Sequence, residues 1–112
     1  MKKTTLIIIL LLGSSLMLRA QYGPLRIIVL GGHPDDADIK SGGTAVLWAQ
    51  MGHAVKFVSV TNGDAGHQSE GGGALAKRRT AEAQESARRL GIDEYVILDN
   101  HDAELVPSLD VR

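Results

Sequence analysis

Three short apolar runs, each ended by a loop of polar and turn-forming residues, constrain this chain more than any other feature. Leu25 to Leu30 ("LRIIVL") is β-branched and apolar and stops at Gly31 and Gly32. A short continuous run of this kind marks a buried parallel strand. Ala54 to Thr61 ("AVKFVSVT") sets Val55, Phe57 and Ser59 against Lys56, Val58 and Val60, and Asn62-Gly63 closes it. Tyr95 to Leu98 ("YVIL") is the third strand, followed by the polar loop Asp99 to Glu104 ("DNHDAE"). Between them lie two helical segments. Gly43 to Met51 ("GTAVLWAQM") ends at Gly52, and Ala74 to Leu90 ("ALAKRRTAEAQESARRL") ends at Gly91. In the second helix Ala76, Thr80, Ala83, Ala87 and Leu90 fall on one stripe, narrow enough to lie close on a sheet. Asp64 to Gly73 reads as a glycine-rich loop.

Strands alternating with helices imply right-handed crossovers and a parallel sheet with helices on its faces, a Rossmann-like α/β fold. In such sheets the ligand crevice lies outside the carboxyl ends of the strands. The loops "GGHPDD" (31–36), "NGDAGH" (62–67) and "DNHDAE" (99–104) should therefore meet on one rim. Three strands and two helices make an incomplete sheet beside the five or six strands of a doubly wound domain. The sequence stops in mid-pattern at Leu109 to Arg112, so residues 21–112 read as the N-terminal part of a longer enzyme domain. An edge left unpaired in this way invites association, so an oligomer is one expectation.

The first residues form a targeting segment. Lys2 and Lys3 precede the apolar run Leu6 to Leu12, which continues to Leu18, and Ala20 offers a cleavage position. The run suits a secretory signal peptide over residues 1–20 and is shorter than the ~20 residues of a membrane span. The expectation is export, to a periplasm or the medium, with no stable membrane span. Removing residues 1–20 takes Lys2, Lys3 and Arg19 from 12 basic residues and nothing from 13 acidic ones, which leaves a net charge of about −4. With no basic cluster, nucleic acid is not an expected partner. The chain has no cysteine, hence no disulfide framework.

The loop after the first strand carries the chemistry. Gly31-Gly32 lacks the G-x-G-x-x-G spacing of a dinucleotide site, and the adjacent carboxylates Asp35 and Asp36 would repel a phosphate. His, Pro and Asp also form turns and caps, which explains a bend but not three ionisable side chains at the crevice. Pro34 biases His33 towards extended geometry, and the subsequent turn can aim His33 and Asp36 at one centre. An imidazole and a carboxylate suit zinc, and Asp35 between them is free to act as general base.

"GGHPDD" after the first strand, "GGT" opening a helix and "VTNGDAGH" after the second strand resemble the PIG-L / LmbE-like de-N-acetylases. Those are Rossmann-like zinc hydrolases that remove acetyl groups from N-acetylglucosamine-type amines, and the resemblance covers residues 25–112. It implies a zinc-dependent deacetylase of a small N-acetylated sugar or similar amide. It makes His33 and Asp36 zinc ligands, Asp35 the catalytic base, and Arg79 and Asp102 substrate-binding residues. A solvated helix-face charge for Arg79 and a plain turn residue for Asp102 stand beside these roles. Arg78 with Glu82, and Glu85 with Arg89, read as surface pairs of about 0.2–0.5 kcal/mol each. The chain departs from the family at Ala37, where Glu is usual, with Asp38 one position on. The family's third zinc ligand, a histidine near the end of its domain, has no counterpart in this sequence. His67 and His101, both on the rim, are the available candidates for that ligand, with a substrate-side role or a plain loop histidine as the readings beside it, whereas His53 reads as an exposed turn residue. The departures keep two other functions open: a carbohydrate-binding relative without turnover, and an inactive truncated fragment.

Overall fold

The computed structural model describes residues 23–109 and 111, so the proposed signal peptide at residues 1–20 lies outside the described residues. The order is β1 (Arg26–Gly31), α1 (Asp36–Gln50), β2 (Ala54–Ser59), α2 (Gly72–Leu90) and β3 (Glu94–Ile97). The strands form one parallel sheet in the order β1-β2-β3. Ile27 pairs with Val55 and Val29 with Phe57, and Phe57 in turn pairs with Tyr95. The α/β fold expected from the alternation is the one observed.

Side-chain alternation in β2 follows the sequence pattern. Val55, Phe57 and Ser59 are buried, while Lys56 and Val58 are half-exposed. The core is a single cluster under both helices: Ala37 and Ala45 of α1, Ala83 and Ala87 of α2, and Val55, Phe57 and Tyr95 of the sheet. The rings of Phe57 and Tyr95 meet edge to face at 5.4 Å, a geometry aromatic pairs favour. The helices thus share one face of the sheet rather than dividing between two, because successive right-handed crossovers in one direction land on the same side. On the other face Ile28 and Leu30 are 63% and 70% exposed.

Two local expectations are corrected. Helix α1 begins at Asp36, seven residues before the predicted Gly43. Gly42 and Gly43 look like a stop, yet each costs only about 1 kcal/mol in a helix interior. Burial of Ala37 and Ala45 outweighs that, and Asp36 and Asp38 in the first turn suit the positive end of the helix dipole. The stripe of α2 also shifts. Thr80 is exposed, with its hydroxyl donated to the Ala76 carbonyl, and the inward residues are Leu75, Ala83 and Ala87. Steps of four residues from Leu75 pass through Arg79, which therefore lies on the inward line of the helix.

Candidate active site

Asp35 occupies the N-cap position of α1, but its side chain makes no capping hydrogen bond. The neighbouring carboxylate bonds the turn instead: Asp36 Oδ2 accepts the His33 backbone N–H at 2.8 Å. That hydrogen bond is the main reason the Asp36 carboxyl is held below its ordinary range, so it is ionised at neutral pH. Gly31 permits the turn, since a Cβ there would lie 2.7 Å from Asp36 Cβ. The turn is tied to the core from below, where the buried Tyr95 hydroxyl donates to the Pro34 carbonyl at 2.7 Å.

The three rim loops meet as the alternation implies. Asn62 N–H donates to the Asn100 carbonyl, and Asn62 Nδ2 to Asp99 Oδ1 at 3.0 Å. His33 Nε2 stands 2.9 Å from Asp102 Oδ1, and Asp64 Oδ2 2.6 Å from His101 Nδ1. Gly63, with φ +69°, packs its α-carbon against Pro34, where a Cβ would come within 2.9 Å of Pro34 Cδ. Arg79 reaches over from α2, with Nη1 3.5 Å from Asp35 Oδ2. The result is a cavity of about 250 Å³ lined by His33, Pro34, Asp35, Gly63, Gly66, Arg79 and Asp102. Asp36 borders it through His33.

Four of the five predicted site residues line this cavity, and the fifth bonds one of them. His33 Nδ1 and Asp36 Oδ2 are 3.4 Å apart. Two ligand atoms of a tetrahedral zinc ion at ~2.0–2.1 Å stand ~3.3–3.4 Å from each other, so this pair fits such a centre. Among the described residues no cluster of three His, Cys, Asp or Glu side chains with metal-binding geometry is present. The other histidines are engaged elsewhere. His67 Nδ1 accepts the backbone N–H groups of Ser69 and Glu70, which makes it a loop-bracing residue. His101 lies against Asp64. His53 is half-buried rather than exposed, and its Nδ1 accepts the Leu25 N–H at 3.2 Å.

Arg79 is not a solvated charge. Its side chain is 24% exposed, and its Nε is buried without a hydrogen-bond partner. The pairs Arg78–Glu82 and Glu85–Arg89 are present on the outer face, at 3.5 and 2.8 Å. Ala37 is wholly buried in the core, whereas Asp38 accepts a hydrogen bond from Ser86 and ties α1 to α2. Sequence reasoning missed Asp64 and Tyr95 as site-building residues. An acid just past a strand end, in a loop assigned to the rim, was the signal that could have marked Asp64. Nothing local marks Tyr95, whose partner is 61 residues away.

The model of the PIG-L family, described as GlcNAc-PI de-N-acetylase, matches residues 28–111. A diacetylchitobiose deacetylase of Thermococcus kodakarensis is 34% identical over 90 residues, which covers 78% of this chain and 33% of that protein. A 1D-myo-inositol 2-acetamido-2-deoxy-alpha-D-glucopyranoside deacetylase of Kineococcus radiotolerans is 31% identical over 87 residues, covering 70% and 24%. Among solved structures, the N,N'-diacetylchitobiose deacetylase of Pyrococcus horikoshii, complexed with its inhibitor, superposes with a TM-score of 0.71 at 38% identity. That match covers 77% of this chain and 33% of the other. The chain thus spans a third or less of the length of these relatives. With the rim loops, the parallel sheet and the matched residues in agreement, this chain belongs to the PIG-L family of GlcNAc-PI de-N-acetylase-like proteins.

Proposed function

We propose that the protein removes an acetyl group from a small N-acetylated sugar or similar amide, with zinc as its metal. One observation carries this: three distant segments bring His33 with Asp35, Arg79 and Asp102 to one cavity, with Asp36 against His33. The relatives named as deacetylases of acetamido sugars give the substrate class. His33 and Asp36 would hold the metal. When bound, zinc supplies a Lewis acid that lowers the pKa of water and polarises a carbonyl.

The chain's own residues supply the rest. The Asp35 carboxylate, free of any cap, takes a proton from the attacking water as the new C–O bond forms at the acetyl carbon. As the C–N bond breaks, the same carboxyl returns that proton to the amine, so acetate and a free amino sugar leave. Arg79 orients Asp35 across 3.5 Å and offers its remaining N–H groups to a substrate oxygen. Asp102 Oδ2 points at Gly66 on the cavity wall, where it can accept a sugar hydroxyl. Export through residues 1–20 belongs to the same proposal, and a mature N-terminus at Gln21 in the exported protein tests it.

The test of the chemistry is acetate release from N-acetylglucosaminides, with bound zinc measured in parallel. Asp35→Asn should fold, retain zinc and lose about 10²- to 10⁴-fold in kcat. Full activity in Asp35→Asn overturns the assigned base. A second function, sugar binding without turnover, draws on the two-donor metal pair among the described residues. It predicts sugar affinity with neither zinc nor acetate release.

A further inference from the structure

The loop after β2 carries an acid that this chemistry does not use. Asp64 is among the buried polar residues, with its side chain 10% exposed. Both of its carboxylate oxygens are engaged. Oδ1 accepts the Asp102 backbone N–H at 2.9 Å, and Oδ2 meets His101 Nδ1 at 2.6 Å. Its main chain is pinned as well. The Asp64 N–H donates to Asn62 Oδ1, and its carbonyl accepts the N–H of Gly72, the first residue of α2. Asp64 is outside the set of residues lining the cavity. It grips the segment that carries Asp102 from behind.

What that grip sets is the direction of the Asp102 carboxylate. Asp102 Oδ1 accepts the Ala103 N–H at 2.8 Å and faces His33 Nε2 at 2.9 Å. Ala103 has φ 64°, the one positive φ at a non-glycine among the described residues. A backbone state of this kind persists where its surroundings over-determine it. Here those surroundings are the Asp64 bond to Asp102 and the Asp102 bond to Ala103. An ionised carboxylate can only accept, so a neutral His33 bonded to it carries its proton on Nε2. The Nδ1 lone pair then faces the Asp36 carboxylate. A carboxylate on the far nitrogen is the usual means by which a metal-binding histidine is oriented.

We infer that Asp64 is a positioning residue: through the Asp102 backbone and the His101 ring it holds the Asp102 carboxylate on His33 Nε2, leaving Nδ1 open towards Asp36 for a cation. The identity of the cation rests on the proposed deacetylase function; the tautomer of His33 does not.

The experiment compares wild type, Asp64→Ala, Asp102→Ala and the double variant as full chains. The ring ¹⁵N shifts of His33 are read in the metal-free protein at about pH 8, where an ordinary imidazole is neutral. Zinc affinity is read by competition with a chromogenic chelator, and far-UV circular dichroism confirms folding. Wild type should show His33 as the Nε2–H tautomer. A folded Asp64→Ala should show a mixture and bind zinc roughly 10-fold more weakly, at the low end of the effect of outer partners. Because Asp64 acts through Asp102, the double variant should be no worse than Asp102→Ala alone. An unchanged His33 in folded Asp64→Ala, or losses that add in the double variant, overturns the inference. If Asp64→Ala does not fold, the nearly isosteric Asp64→Leu replaces it. It removes both acceptor oxygens, so a mixed tautomer is again expected, and an unchanged one overturns the inference. A wild type with the Asp64-dependent tautomer but no zinc binding upholds the positioning role and overturns the metal-dependent function instead.

Discussion

Replacing Gly63 with alanine probes the contact on which the site depends most. Gly63 has φ +69°, and a Cβ there would lie 2.9 Å from Pro34 Cδ and 3.1 Å from Pro34 Cγ. The left-handed backbone costs a non-glycine residue about 1–2 kcal/mol. Stiffening the unfolded chain returns about 0.4–1 kcal/mol of that. Forcing a methyl into the packed contact adds about 1–3 kcal/mol, because the Pro34 ring is fixed and its carbonyl is tied to Tyr95. The expected net destabilisation is about 2–3 kcal/mol. Gly91→Ala is the control: it has the same φ of +69°, with no atom within 4 Å of the added Cβ, so only the backbone cost of about 1 kcal/mol applies. Urea unfolding followed by circular dichroism reads both. At a slope of about 1–1.5 kcal/mol per molar urea, Gly63→Ala should lower the midpoint by about 1.3–3 M and Gly91→Ala by about 1 M or less. Displacing Pro34 also moves His33 and Asp35, so zinc affinity should fall in Gly63→Ala and stay unchanged in Gly91→Ala. Equal midpoints for the two variants would refute the close approach of the two loops.

Tyr95→Phe removes the hydroxyl donated to the Pro34 carbonyl in a buried setting. It should cost about 1–2 kcal/mol in thermal unfolding, and stability equal to wild type would show that the bond is not made in solution. The Asp64–His101 pair should also make stability depend on pH. The Asp102 N–H, and then His101, hold the Asp64 carboxyl below its ordinary value of 3.8, a contribution present above that value and lost as acid protonates Asp64. Asp64, with smaller help from Glu104 and Asp99, raises His101 above 6.5, a contribution present below 6.5 and lost as pH rises through the raised value. The gap in melting temperature between wild type and His101→Ala should therefore be widest from about pH 4 to 6.5 and shrink on either side. A gap that widens above about pH 7 would contradict the pairing.

The strands and the rim that the loops form beyond them were legible because each is local. "LRIIVL" before Gly31-Gly32 is a strand on its own terms, and β-loop-α order places the loop beyond it at the crevice. The start of α1 was not legible, since Gly42-Gly43 signals a stop that only the burial of Ala37 and Ala45 overrides. The orientation of α2 was one step off for a related reason. Small residues sit on several of its faces, and which alanines turn inward depends on Phe57 and Tyr95 beneath them. Asp102 was found through its resemblance to the family, but its bond to His33 spans 69 residues and has no signature in the chain.

The inward line of α2 ties two quantities that usually vary independently. Leu75, Arg79, Ala83 and Ala87 repeat every four residues, so the packing that seats the helix also sets the compass bearing of the guanidinium. One residue inserted between Arg79 and Ala83 would turn Arg79 by about 100° relative to the buried alanines. Either the core or the cavity would then lose its partner. The exposed loop before Gly72 can change size without this penalty. Between Arg79 and Ala87, however, an insertion or deletion of one residue puts the core and the cavity in conflict, even where single substitutions on the outer face leave both intact.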